Sequence, residues 1–250
     1  MTTKKNSGGI LRTDRRMIVI VEKCKIQGIP AILWGEKSTR LIIAVHGSHS
    51  SKIDDCIWIL AEEAAKRGYQ VLSFDLPKHG ERVYEAEPCR AQNCVKELAL
   101  MMEYGKNRAE QISLFGCSMG AYFSLLAYKD TKIHHAWFLS PVVDMGRIIR
   151  NMMEQSGITE EELRDRKVID HPIEPLSWDY YCYVKDHPII KWKCPTSILR
   201  GEYDTLCEYG TVSAFAERFH CRLEEQKGGE HWFHTVEELE FYRKWLQAEL

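Results

Sequence analysis

Residues 111–128 read QISLFGCSMGAYFSLLAY. An apolar run leads into Gly116-Cys117-Ser118-Met119-Gly120, and a second apolar run follows at once. The first run fits a strand and the second a buried helix. Between them the chain must turn sharply, and small residues at 116 and 120 let strand and helix approach closely. Ser118 is then either a small turn residue or a nucleophile held out on a strained elbow. A serine hydroxyl is inert near neutral pH without a base, and the base needs an orienting acid. The rest of the chain has to supply both.

Strand-like and helix-like runs alternate on either side. MIVIVEKCKI (17–26) and IPAILWGE (29–36) read as two strands joined in a hairpin at Gln27-Gly28. RLIIAVHG (40–47) is short and nearly all apolar, as in a strand buried on both faces. IDDCIWILAEEAAKRG (53–68) puts Ile53, Ile57, Leu60, Ala61 and Ala64 on one helical face and stops at Gly68. A strand at 69–77 and a helix at 91–105 lead into the elbow. After it come strands at 135–142 and 194–201, a helix over 209–220 and a polar strand at 221–228. A closing amphipathic helix carries Val236, Leu239, Tyr242, Trp245 and Leu246.

Repeated strand–helix–strand units predict an α/β fold: an eight-stranded, mostly parallel sheet with helices on both faces and the hairpin at one edge. Residues 1–250 read as a single domain. The exception to the rhythm is 145–193, longer than a crossover needs. It reads as a helix around 145–155, a charged helix at 159–167 and the aromatic stretch SWDYYCYV (177–184). The expectation is a short lid over the site, against a surface excursion with small apolar contacts of its own.

Composition narrows the classes. The chain has 34 Lys and Arg against 36 Asp and Glu, with 44% apolar residues. Nothing in that balance points to nucleic acid or a membrane surface, and no apolar stretch is long enough to span one. The nine cysteines are odd in number, scattered and without a C-x-x-C pair. They read as reduced thiols, mostly small core hydrophobes, and the default compartment is cytoplasmic. No His, Cys or Asp cluster has metal-ligand spacing, and no cofactor is implied. A homodimer is compatible with the sequence.

Two later strand ends complete the chemistry. LRGEYDTLC places Asp204 just past a strand, and GGEHWFHT places His231 in a loop after the last one. The order Ser118, Asp204, His231 is the order a nucleophile elbow on a parallel sheet requires. With VHGSHS (45–50) after the third strand and SFDLPKHGER (73–82) after the fourth, the chain resembles a serine hydrolase of the α/β-hydrolase superfamily, of the esterase, lipase and thioesterase kind. The resemblance runs from the third strand to the C-terminal helix.

It implies Ser118 as nucleophile, His231 as base and Asp204 as acid, with the main-chain N–H groups of Ser48 and Met119 as oxyanion donors. It also implies a small-molecule acyl substrate, a carboxylic ester or thioester, cleaved through an acyl-enzyme. Acyl-peptide hydrolysis or acyl transfer on the same triad, and a ligand-binding protein on the same scaffold, are the alternatives. HGSHS departs from the HGGG of one esterase branch, and Lys78 and Arg82 stand where small residues often sit. Competitors remain: Asp144 follows the preceding strand, and His234 and His220 are alternative bases. His46 and His79 are expected to hold hydrogen bonds near the site. His134-His135 reads as an exposed strand start, and the Cys117 side chain is expected to point away from Ser118.

Overall fold

The computed structural model describes residues 21–250. The basic residues of the first sixteen positions and residues 17–20 of the expected first strand lie outside them. From Val21 the hairpin forms as read: β1 (Val21–Ile26) pairs antiparallel with β2 (Ile29–Trp34). Gln27 (φ 49°) and Gly28 (φ 87°) make the two-residue turn. Positive φ at both central positions matches the right-handed twist of the strands, and glycine adopts it without a steric penalty.

The main sheet also contains β3 (Arg40–Val45), β4 (Gln70–Phe74), β5 (Gln111–Cys117), β6 (Ala136–Leu139), β9 (Thr196–Gly201) and β10 (Arg222–Gln226). Eight strands run in the order β1-β2-β4-β3-β5-β6-β9-β10. From β4 onward every pairing is parallel, so β2 is the one strand reversed against both its neighbours. The remaining strands, β7 (Val168–Ile169) and β8 (Leu176–Ser177), form a small antiparallel pair of their own.

Central strands are buried at nearly every position, and mostly apolar, because both faces are covered. Leu41, Ile43 and Val45 of β3 pack into one core, while Ile42 and Ala44 pack into the other. The first core lies under α2 (Ala91–Lys106) and α3 (Met119–Tyr128). The second lies under α1 (Asp55–Lys66) and α8 (Val236–Glu249). The apolar faces expected for the first and last helices each extend one residue past the buried stripe, at Ile53 and Val236. Ile53 is exposed and precedes α1, because the Asp54 side chain accepts the Asp55 N–H and starts the helix there. Val236 is exposed in the first turn of α8, which Thr235 and Glu238 close with a capping box.

Segment 145–193 holds α4 (Met145–Gln155), α5 (Glu160–Arg166), β7, β8 and α6 (Trp178–Asp186). The aromatic stretch is therefore helical, capped by the Ser177 hydroxyl. Ile149, Met152, Leu163, Leu176, Tyr181 and Val184 join the same core as α2 and α3. The segment shares the main core rather than making a separate one. The last helix before the polar edge strand is α7 (Tyr209–Phe219).

Candidate active site

Ser118 sits between β5 and α3 at φ 50°, ψ −121°, a conformation a non-glycine residue holds only when its surroundings impose it. Those surroundings are the two glycines. A Cβ on Gly116 would lie 2.7 Å from the Ala121 Cα, so only glycine lets α3 start directly above β5. A Cβ on Gly120 would lie 2.4 Å from the carbonyl oxygens of Val45 and His46. The helix thus packs against the end of β3 as tightly as against its own strand. Ser118 makes no capping bond to α3, which leaves its hydroxyl free for another partner.

That partner is His231. The Ser118 Oγ lies 2.9 Å from His231 Nε2, and His231 Nδ1 lies 2.8 Å from Asp204 Oδ2. With Nδ1–H donating to the carboxylate, Nε2 is the acceptor and faces the serine hydroxyl. The other carboxylate oxygen, Asp204 Oδ1, accepts the main-chain N–H groups of Leu206 (3.0 Å) and Cys207 (2.8 Å). These bonds lock the Asp204 carboxylate, which is buried. Gly201, at the end of β9, brings the two later loops together: a Cβ there would lie 2.4 Å from the Glu230 carbonyl.

The competing residues have other work. Asp144 accepts the Arg147 N–H at 2.9 Å and caps α4. His234 is exposed and stacks on Trp232, and His220 closes α7 in a left-handed turn. His135 is half-buried rather than exposed, 3.1 Å from the Ser197 hydroxyl. Cys117 packs with the α1 and α8 core, where burial pushes its thiol up to about 12. Among the described residues, one group of metal-ligand type, Asp204, Cys207 and His231, brings its ligand atoms together. Asp204 and His231 already bond each other there, and the Cys207 thiol, raised by burial, donates to the Ser140 carbonyl at 3.4 Å.

Ser48 and Met119 both line the cavity beside Ser118. Met119 is the first residue of α3, where the main-chain N–H has no acceptor within the helix. A Cβ on Gly47 would lie 3.1 Å from the Ser118 Cβ, so the loop passes close by the elbow. His46 holds that loop from below: Nδ1–H faces the Gly47 carbonyl at 2.8 Å, and Nε2 accepts the Leu76 N–H at 3.1 Å. Burial drives His46 down to about 4, which keeps it neutral. His79 Nε2 accepts the His49 N–H at 3.2 Å, a second tie between the loops after β3 and β4.

Beneath these ties lies a charged network that the sequence did not reveal. Asp75, fully buried, accepts the Lys52 N–H and the Glu81 N–H, each at 3.0 Å, and pairs with the Lys52 ammonium. Gly80 makes this fit, because a Cβ there would lie 2.2 Å from the Asp75 carboxylate. Arg82 is buried too, forked onto Glu97 at 2.7 and 2.6 Å and bonded to the Asp75 carbonyl. On the histidine side, Glu238 accepts the N–H groups of Glu230, His234 and Thr235 and so shapes the His231 loop. Burial opposes its charge, but these bonds outweigh it and hold the carboxyl down to about 2.

Above Ser118 a cavity of about 610 Å³ opens. Phe123 of α3, Ile148, Ile149 and Met152 of α4, and Leu176 and Tyr180 near α6 give it an apolar wall. Tyr180 lines it, whereas Tyr181 turns away and donates to Glu160 at 2.5 Å.

No family model matches the chain, and no curated protein matches it. Solved structures do. Est1E from Butyrivibrio proteoclasticus aligns with a TM-score of 0.74 at 19% identity, over 92% of this chain and 96% of that one. Alpha/beta hydrolase domain-containing protein 10 from mouse aligns with a TM-score of 0.73 at 14% identity, over 97% and 98%. The Pyrococcus furiosus esterase Pf2001 gives 0.65 at 19%, over 92% and 89%. At such identities the likeness is one of architecture: this chain has the α/β-hydrolase fold.

Proposed function

We propose that the chain is a serine hydrolase that cleaves a small carboxylic ester or thioester with an apolar acyl group. The observation that carries the reading is the continuous chain of bonds from Asp204 Oδ2 through His231 to the Ser118 hydroxyl, ending at an apolar cavity. In the proposed reaction the Ser118 Oγ attacks the substrate carbonyl as His231 Nε2 takes its proton. The Ser48 and Met119 N–H groups hold the oxyanion, helped by the N-terminus of α3. His231 then gives the proton to the leaving oxygen or sulfur. Water enters by the same route in reverse and frees the acid. The esterases among the structural neighbours, Est1E in a form with ferulic acid bound, support an ester as the substrate class.

The test is covalent labelling with a fluorophosphonate, beside hydrolysis of p-nitrophenyl esters and acyl-coenzyme A thioesters. The expected adduct maps to Ser118. Ser118→Ala should fold normally and lose on the order of 10⁴–10⁶-fold in kcat, because triad members act as a unit. No adduct at Ser118 would make the protein a ligand-binding member of this fold. Retention of more than about a tenth of the hydrolysis would remove Ser118 from the mechanism. An acyl-enzyme that partitions to an added alcohol or amine in preference to water would make it an acyltransferase.

A further inference from the structure

The cavity wall holds a second cluster of reactive groups that the proposed hydrolysis does not use. Cys89 lines the cavity from the loop before α2, and Cys94 is buried in the first turns of that helix. Their sulfurs lie 3.7 Å apart. A disulfide needs about 2.05 Å, so a side-chain shift of about 1.7 Å closes the gap. His79 lines the same cavity and favours the ionised form of Cys89. No other hydrogen bond joins two cysteine sulfurs among the described residues.

The chemistry of the two thiols is uneven in a way that fits a pair with roles. Burial pushes up the thiols of Cys24, Cys56, Cys117, Cys194, Cys207 and Cys221, which makes them inert packing groups. Cys89 goes the other way. The Cys94 thiol hydrogen-bonds to it, and with His79 this outweighs burial and lowers the Cys89 thiol, while burial raises Cys94. Cys89 is therefore the sulfur that ionises first, half-buried on an open cavity, with a protonated thiol waiting beside it.

We propose that Cys89 and Cys94 are an oxidant-modified thiol pair in the wall of the catalytic cavity, taking a small hydroperoxide as oxidant and closing to a disulfide that slows turnover. The Cys89 thiolate attacks the outer peroxide oxygen. The O–O bond breaks, the leaving oxygen takes a proton to become an alcohol or water, and Cys89 becomes a sulfenic acid. The Cys94 sulfur then attacks the Cys89 sulfur, giving up its proton, and the hydroxyl leaves as water. Two thiols lose two electrons and two protons, and the peroxide takes up both. The effect on turnover follows from His79. It is bonded to the His49 N–H, one residue from the Ser48 donor, so a change at Cys89 reaches the oxyanion loop.

The experiment treats the full chain with hydrogen peroxide and maps its peptides without reduction. The expected product is a loss of about 2 Da in a species joining Cys89 to Cys94, reversed by dithiothreitol. Cys94→Ser should stop at a Cys89 sulfenic acid that dimedone traps, and Cys89→Ser should show neither product. Ester hydrolysis, read against each variant's own reduced activity, should fall several-fold in the wild type alone and recover on reduction. Three results overturn the modification site: a bridge at another pair, irreversible oxidation of Cys89 without a bridge, or Cys89 reacting no faster than the half-buried Cys182. A mapped bridge with unchanged hydrolysis overturns the link to turnover. The mapping needs no variant and no esterase activity, so its failure and the failure of the hydrolase reading are separate results.

Discussion

Acid should destabilise this fold through His46, and the size of the effect follows from its surroundings. Burial lowers its imidazole from the ordinary 6.5 to about 4. His79 and Lys52 push in the same direction, while the Gly47 carbonyl and Asp75 oppose them. The ring is neutral because it must donate to the Gly47 carbonyl and accept from Leu76 at once. Between pH 6.5 and about 4 the unfolded chain binds a proton that the folded chain refuses. Stability therefore falls as pH falls through that window, by up to about 1.4 kcal/mol per pH unit. Over the whole shift the loss is about 3 kcal/mol, against a total stability of about 5–15 kcal/mol for a typical protein.

Urea unfolding at a series of pH values would measure it, with His46→Gln as the partner, since glutamine offers one donor and one acceptor without titrating. Other groups titrate equally in both proteins, so the difference between the two curves isolates His46. The wild type should lose about 3 kcal/mol more than the variant between neutral pH and pH 4. Parallel curves would mean that the folded chain takes up the His46 proton as readily as the unfolded one. The tie between the loops after β3 and β4 would then be wrongly drawn.

Two further outcomes bear on the cavity. Ser48→Ala keeps the main-chain N–H and should stay within a few-fold of wild type, while Ser48→Pro removes it and should cost about 10²–10³-fold in kcat at unchanged thermal stability. If both fold and are equally damaged, the hydroxyl is in the mechanism. Tyr180→Ala opens the apolar wall and should shift the preference between short and medium acyl chains on the order of tenfold, while Tyr183→Ala, off the cavity, should leave it unchanged. Equal effects on all chain lengths would return segment 145–193 to a structural role.

Much of the architecture was legible in the sequence because it is written in local pattern. The mostly apolar β3 and β5, the periodic α2 and the two glycines around Ser118 each report burial or a turn within a few residues. The order of Ser118, Asp204 and His231 along the chain could be read because each follows its own strand. Tertiary structure decided what depends on contacts distant in sequence. Asp144 and Asp204 look alike, each just past a strand, and it is the bond from His231, 27 residues beyond Asp204, that sets the two apart. Lys52 and Asp75 stand 23 residues apart and become partners because β3 and β4 run parallel and release their loops at the same sheet edge. Arg82 stands where small residues often sit, and Glu97 on α2, 15 residues on, receives its guanidinium. Cys89 and Cys94 had no spacing that marks a motif. Their sulfurs meet because the chain turns into α2 between them, and a turn of that kind is set by what the helix packs against, not by the five residues themselves.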